Sequence, residues 1–276
     1  MGLTGKHFEA EPPLSGIVKH FYAIQTTPDY EENTGHLSPN YEMMLIFNFG
    51  SPVRISFAAE PLSNLQIEHL ALLGPLRKML NYELLKNTDI LAVVFNLDGF
   101  YRLFQLPMDE MDSETVHYPD EATYHELWSI LNGTPYNDRP QILSDYILSF
   151  THISDNASLP LLEGAGYFND PSIEPVKAIA EDANLSERTI QSRFKKYVGY
   201  SPKEMLRFLR FKQVITSIEQ NTGNEIDWFD LIHDFGYHDQ SHLIKDFNHY
   251  LGISPQTFIK KFFGKEFCTT KPGKNY

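Results

Sequence analysis

The chain has 276 residues, of which 42% are hydrophobic and 13% aromatic, and its formal net charge is −13. This length predicts two globular domains that each bury a core. No apolar run approaches the roughly 20 residues that a membrane helix needs, and the N-terminal residues lack the apolar stretch of a secretory signal. We therefore expect a cytoplasmic protein with no membrane partner. The only cysteine, Cys268, excludes an intrachain disulfide.

The charge divides unevenly along the chain. Residues 1–170 contain 8 Lys and Arg against 23 Asp and Glu, a net charge of −15, whereas residues 171–276 contain 15 against 13, a net charge of +2. An acidic surface repels a polyanion, so the first part is excluded as a nucleic-acid surface. Only the second part is a candidate for one.

Residues 1–120 are predicted to be mostly β. Short runs rich in β-branched and aromatic residues alternate there with Gly, Pro and Asp turn residues. The predicted strands are Tyr41–Phe49, Val53–Phe57, Gln66–Leu73 and Ile90–Leu97. The last of these is apolar almost throughout, which predicts a strand buried on both faces. This spacing favours a small barrel or sandwich, followed by a short helix over Gly99–Leu106 that ends at Pro107.

An αα-hairpin is predicted over residues 120–152. Its two helices, Ala122–Leu131 and Arg139–Phe150, carry apolar residues at helical spacing. The apolar stripe either packs on the β-rich part or serves in part as the surface of a homodimer. Residues 153–172 are rich in Ser, Asn, Asp, Gly and Pro, which predicts a linker after a first domain of residues 1–152.

The last third of the chain contains one helical unit twice. A shift of 53 residues places Ile190, Phe194 and Tyr197 on Leu243, Phe247 and Tyr250. In each copy a short helix capped by Ser186 or Asp239 ends at a glycine, and the next helix begins at a proline. We therefore expect an all-α domain over residues 173–265, in which a long helix, about Pro202–Glu219, joins the two copies. A tail of residues 266–276 follows.

The outward face of each repeated short helix carries side chains suited to reading DNA. In the first copy they are Arg188, Gln191, Ser192 and Lys195, and in the second Gln240, Ser241, Ile244 and Lys245. Arg can bond guanine, Gln can bond adenine, and an apolar side chain can contact the thymine methyl. A single polar face is usually only a solvated one. Two copies with the same caps and turns predict two helices in successive major grooves, about 34 Å apart.

Residues 173–262 resemble the DNA-binding domain of the AraC/XylS family of transcription regulators. The resemblance lies in Ser186-Glu187-Arg188, Arg193-Phe194-Lys195, Gly199-Tyr200-Ser201-Pro202, Gly236-Tyr237-His238-Asp239-Gln240-Ser241-His242 and Gly252-Ile253-Ser254-Pro255. It implies two helix–turn–helix subdomains joined by a long helix, with the second helix of each reading promoter DNA. It also implies an α+β chain with an N-terminal cupin-like domain for a small-molecule effector, followed by dimerising helices.

The second copy departs from the family pattern in charge. Asp246 and Asn248 lie on its short helix, and Lys245 stands where an arginine is common. We therefore expect weaker DNA binding from this copy. The alternative function is an effector-sensing or protein-interaction module that retains little specific DNA binding. The sequence leaves the effector, the operator and the direction of regulation open.

No enzyme, metal or cofactor is predicted. The N-terminal histidines do not form the H-x-H pair with a following Glu that a metal cupin uses, and His36 with Glu42 is the nearest approach. His238 and His242 have metal-ligand spacing but lie on either side of the predicted cap. Motifs for a nucleotide loop or a nucleophile elbow are absent from the sequence.

Overall fold

The structure, a computed structural model, describes residues 2–62, 65–111, 116–221 and 226–262. The strands of these described residues are β1 Leu3–Glu9, β2 Val18–Thr26, β3 Asn33–Leu37, β4 Met44–Asn48, β5 Val53–Phe57, β6 Gln66–Ile67, β7 Leu70–Leu73, β8 Leu80–Leu84 and β9 Asp89–Phe95. The α-helices of the described residues are α1 Gly99–Phe104, α2 Glu121–Asn132, α3 Arg139–Phe150, α4 Leu159–Glu163, α5 Pro175–Asp182, α6 Glu187–Val198, α7 Pro202–Gln220, α8 Trp228–Asp234, α9 Gln240–Leu251 and α10 Pro255–Phe262.

The strands form two antiparallel sheets that face each other. One sheet has the order β1-β2-β9-β4-β7 and the other the order β3-β8-β5-β6. Apolar side chains from both sheets fill the space between them, including Ile24 and Ile46 from the first and Ile55 and Leu80 from the second. β9 lies between β2 and β4 and is buried on both faces, as its apolar sequence predicts. The N-terminal part is therefore a β-sandwich.

Strand prediction was incomplete in this part of the chain. β5 has the predicted bounds, but β1, β2, β3 and β8 were not predicted, and the predicted strand Tyr41–Phe49 is shortened to β4. Tyr41 has a φ of 58°, in the left-handed region, so the chain turns there instead of extending. The unpredicted β3, Asn33–Leu37, is largely polar and is held by its backbone pairing with β8.

The helical hairpin packs on the outer face of the five-stranded sheet. Leu131 of α2 and Leu143 and Ile147 of α3 are buried there against Phe47 and Leu91. Of the two predicted roles of the apolar stripe, this contact favours packing on the β-rich part over a homodimer surface. Ile130 and Phe150 remain about half exposed and are not part of that contact.

The segment predicted as a linker is folded. Residues 153–172 contain α4 and a 3-10 helix, Gly164–Asn169, because Pro160 and the neighbouring leucines favour a helix that the Ser- and Asn-rich composition obscured. Leu161 is buried in the core of the helical domain, and the Ser158 hydroxyl donates to the Asp98 carboxylate at 2.8 Å. The segment thus joins the two domains as a packed piece of structure.

The predicted helical repeat agrees with the observed helix bounds. α6 and α9 begin and end at positions 53 residues apart, and so do the starts of α7 and α10. The long helix α7 runs between the two units, close to its predicted bounds. α8 begins later than the predicted Ile226 because Asp227 accepts the N–H groups of Phe229 and Asp230 and caps the helix.

The β-sandwich contacts the same point of both helical units. At the end of α6, the Arg77 guanidinium donates to the Gly199 carbonyl at 2.5 Å. At the end of α9, the Met79 N–H donates to the Tyr250 carbonyl at 2.8 Å. Between these points the Tyr41 ring stacks on Phe208 of α7, with ring centroids 4.6 Å apart. The sandwich therefore spans both units at the C-terminal ends of their short helices.

We expect Gly252→Ala to lower the free energy of unfolding by about 2–3 kcal/mol. Its φ of 72° disfavours any side chain by about 1–2 kcal/mol, and a Cβ would lie 2.5 Å from the Ala59 backbone nitrogen. Gly236→Ala is the control, because its φ is 65° but its Cβ would meet open space. Urea unfolding of the full chain measures both. If both variants lost the same free energy of unfolding, the contact between Gly252 and the sandwich would contribute nothing to stability.

Candidate nucleic-acid interface

The first repeated helix, α6, presents a polar face to solvent. The Ser186 hydroxyl accepts the Thr189 N–H at 3.1 Å and caps the helix. Ile190, Phe194 and Tyr197 bury the opposite stripe in the helical core. All four of the predicted base-reading residues, Arg188, Gln191, Ser192 and Lys195, are exposed.

The second repeated helix, α9, is built in the same way. The Asp239 carboxylate accepts the His242 N–H at 2.8 Å, and Leu243, Phe247 and Tyr250 are buried. Three of its predicted residues, Gln240, Ser241 and Lys245, are exposed, and Ile244 is half-buried. Asn184 and Gly236, in the turns before α6 and α9, both have positive φ angles, as expected for tight turns.

Each of the two short helices contacts the sandwich at its C-terminal end and is exposed at its N-terminal end. Their C-terminal ends, Gly199 and Gly252, lie against the sandwich, at Pro75 and Ala59 respectively. Their N-terminal ends, at Ser186 and Asp239, are exposed. Since a recognition helix contacts base edges mainly with its N-terminal residues, both helices keep the useful end accessible.

Asp246 does not lie on the outward face of α9, so the predicted loss of charge there is wrong for this residue. Its carboxylate is fully buried between α9 and α7. The Arg207 Nε donates to it at 2.7 Å and the Tyr237 hydroxyl at 2.9 Å, and an Arg210 nitrogen lies at 3.6 Å. Burial, and next the charge of Asp246, raise the pKa of Tyr237. Asp246 thus anchors α9 to α7.

Arg207 and Arg210 are structural residues that the sequence pattern alone does not indicate. They lie three positions apart on one side of α7, a spacing that lets both reach the same carboxylate. Arg210 also lies over the Tyr237 ring, 4.3 Å from its centroid. Asn248, unlike Asp246, is exposed and remains on the outward face of α9.

Within the described residues, no group of three His, Cys, Asp or Glu side chains is placed to hold a metal ion. His36 bonds Asn81 at 2.7 Å, while Glu42 pairs with Lys19, so the two do not share a site. The His242 Nε2 lies 3.2 Å from the Arg210 guanidinium, a cationic neighbour that disfavours a metal. Cys268 lies outside the described residues. No helix in the described ranges is long and apolar enough to span a membrane.

Solved structures with a distant likeness include three enzymes. They are Streptomyces albus HEPD with 2-hydroxyethylphosphonate and Fe(II) bound (14% identity, TM-score 0.24), Escherichia coli ribosomal oxygenase YcfD (12%, 0.23) and a recombinant oxalate oxidase in complex with glycolate (12%, 0.21). The matches cover 68%, 57% and 52% of this chain and 43%, 52% and 72% of those chains. At such low TM-scores the likeness carries no inference about ligand or activity. No curated protein matches the chain.

Two family models match the chain. Residues 6–117, the β-sandwich, match a family described as a domain of unknown function. Residues 179–261 match a family described as a helix-turn-helix domain, of the AraC type, and this range contains both repeated units. A domain of this kind marks a DNA-binding transcription regulator. Residues 179–261 of this chain therefore form a helix-turn-helix domain of the AraC type, which supports a transcription regulator of the AraC/XylS family.

Proposed function

We propose that this regulator reads its promoter through both helical units at once, with α6 and α9 as recognition helices in successive major grooves. The observation that carries the proposal is the matched presentation of the two helices. Both are capped by a side-chain oxygen, end at a glycine against the sandwich and expose polar N-terminal turns. One helix, α7, connects them.

The exposed side chains indicate what each helix would read. Arg188 has the geometry to bond guanine, and Gln191 and Gln240 to bond adenine, at base edges in the major groove. Half-buried Ile244 would contact a thymine methyl, and Lys195 and Lys245 would reach phosphates or guanine. The backbone N–H groups at the capped helix starts add phosphate contacts. Double-stranded DNA as partner implies a cytoplasmic location.

The burial of Asp246 removes one of the two reasons for the alternative function. That alternative, a module with little residual DNA binding, rested on the net charge of only +2 in residues 171–276 and on the acidic character of α9. With Asp246 inside the domain, the outward face of α9 carries Lys245 and no carboxylate beyond the cap residue Asp239. Both recognition helices are therefore suited to a polyanion.

Control by a small-molecule effector is part of the proposal. The sandwich touches both helical units, so a change in its contacts would alter the position of α6 and α9 relative to each other. A ligand produces such a change only if it binds two arrangements with different affinity. We further propose that the chain is not an enzyme and that it forms a homodimer, for which Ile130 and Phe150 of the hairpin offer exposed apolar area.

Hydroxyl-radical footprinting on the DNA upstream of the chain's own gene tests the two-helix reading. We expect two protected segments on one face of the duplex, about 10 base pairs apart. The double variant Gln240→Ala, Lys245→Ala should lose one segment and keep the other. A single protected segment in the unmodified protein would contradict reading by both helices, and no sequence-dependent protection would contradict the proposed function.

A further inference from the structure

A cavity of about 260 Å³ lies between the helical hairpin and the five-stranded sheet. Its wall is formed by Tyr124, His125 and Trp128 of α2, by His69 just before β7, and by Leu70, the first residue of β7. All five residues belong to the N-terminal domain. The volume is just below the roughly 300–1,000 Å³ of pockets for drug-sized ligands, so the cavity suits a compact ligand.

Four of the five lining side chains are aromatic rings. His69 and Trp128 form a T-shaped contact, with ring centroids 5.2 Å apart and an angle of 77° between their planes. The Trp128 Nε1 donates to the Asn48 carbonyl at 2.9 Å, which holds the indole in place. Tyr124 is half-buried, and this burial raises the pKa of its phenol, which keeps the ring neutral. Faces of such rings carry negative electrostatic potential and attract cations.

The chain segments that form the cavity are acidic. Residues 103–138, which include α2, contain eight Asp and Glu and no Lys or Arg. Residues 55–76, which include β7, contain two Glu and again no Lys or Arg. One of these, Glu68, directly precedes His69, and Glu126 directly follows His125. Since negative surroundings attract cations and repel anions, the local charge and the aromatic lining favour the same class of ligand.

We propose that this cavity binds a compact quaternary ammonium compound, with the cationic group over the Trp128 and Tyr124 rings. None of the five lining side chains is a carboxylate. A primary ammonium group would lose hydrogen bonds to water there without regaining them, whereas a fully methylated one has no N–H bonds to lose. The site lies in the N-terminal domain, so it stands or falls independently of DNA recognition.

Isothermal titration calorimetry on the full chain tests the preference for a cation. The probes are choline and tetramethylammonium. The matched neutral control is 3,3-dimethylbutan-1-ol, which has the shape of choline with carbon in place of the charged nitrogen. We expect at least one cation to bind, and the neutral alcohol to bind roughly fivefold or more weakly than choline, because it lacks the cation–π attraction. If neither cation binds at millimolar concentration, or if the alcohol binds as tightly as choline, the proposal is overturned.

Two substitutions of one lining residue test the role of the rings. Tyr124→Leu removes the aromatic face and should weaken binding of the cation roughly threefold or more. Tyr124→Phe keeps the ring and should retain the affinity within about twofold. Circular dichroism verifies that both variants fold. Equal affinity of the two variants would contradict a cation held over the Tyr124 ring.

A pair of charge variants places the ligand in the cavity. His125 is exposed at its edge, so His125→Lys should leave the fold intact and weaken binding of either cation roughly tenfold or more, through repulsion at close range. Asn132→Lys adds the same charge at an exposed position roughly 10 Å further along α2, beyond the Debye length of about 8 Å at physiological salt, and should change affinity less than about twofold. Cation binding that is unchanged in His125→Lys would overturn the assignment to this cavity.

Discussion

Replacing Asp246 with alanine is expected to lower the free energy of unfolding by about 3 kcal/mol. The Asp246 carboxylate contacts Arg207, Arg210 and the Tyr237 hydroxyl. Without it, no buried carboxylate of the described residues pairs with these three groups. Removing one partner of a buried ion pair costs about 3–5 kcal/mol, and the partial exposure of both arginines brings the expected cost to the lower end. Urea unfolding followed by circular dichroism measures the change.

Asn248→Ala is the matched control for Asp246→Ala. Asn248 lies two residues further along α9 and is exposed, so its loss should change the free energy of unfolding by less than about 0.5 kcal/mol. Similar losses for the two variants would mean that Asp246 is on the surface, as its charge alone had suggested. A stabilised Asp246→Ala protein would equally contradict the anchoring role.

Arg188→Ala should weaken binding to the preferred promoter sequence by about 1–3 kcal/mol, which is roughly 5-fold to 150-fold. Arg188 is exposed at the start of α6 and forms no ion pair or side-chain hydrogen bond with another described residue, so the stability of the protein should not change. Fluorescence anisotropy with a panel of duplexes that differ at single base pairs measures the effect. The loss should be concentrated at one base pair, where discrimination should disappear.

Arg193→Ala is the control for Arg188→Ala on the same helix. Its guanidinium donates to the Ala157 carbonyl at 3.2 Å, so it faces the segment between the domains. The variant loses the same charge but should keep the base preference of the unmodified protein. An equal loss of affinity by Arg188→Ala on every duplex would show that Arg188 contacts phosphate and reads no base.

The helix bounds of the helical domain could be predicted closely because the signals that set them lie within each helix. A serine or aspartate cap, an apolar stripe and a terminal glycine each act within one helix, and the same set recurs 53 residues later. The outward exposure of Arg188 and Gln240 follows from the same spacing. Their roles at DNA bases remain predictions, since exposure is needed for base contact but does not establish it.

The buried position of Asp246 follows from the helical period of α9, although its charge suggests the surface. Asp246 lies three residues after Leu243 and four before Tyr250, so the helical period places it on the buried stripe of α9. Its charge suggested a surface residue, although two arginines on α7 were available as partners. A charged residue at a buried helical position is itself an indication of a buried ion pair.

The contacts between the domains could not be predicted from the sequence. Tyr41 was assigned to a strand, yet it turns out of the sheet and stacks on Phe208 of α7. Met79 pairs with Tyr250 through backbone atoms, which carry no residue-specific pattern. These contacts join residues far apart in the chain, so only the folded arrangement of both domains reveals them.

The central claim, that this chain recognises a specific DNA sequence through its helical domain, is tested most directly by one anisotropy titration. A labelled duplex from upstream of its own gene is titrated at several salt concentrations, beside a shuffled duplex of the same composition. We expect tighter binding to the upstream duplex at every salt concentration, with an affinity that falls steeply as salt rises, by about 0.9 in log K per log salt for each neutralised phosphate. Equal affinity for both duplexes at all salt concentrations would contradict the claim.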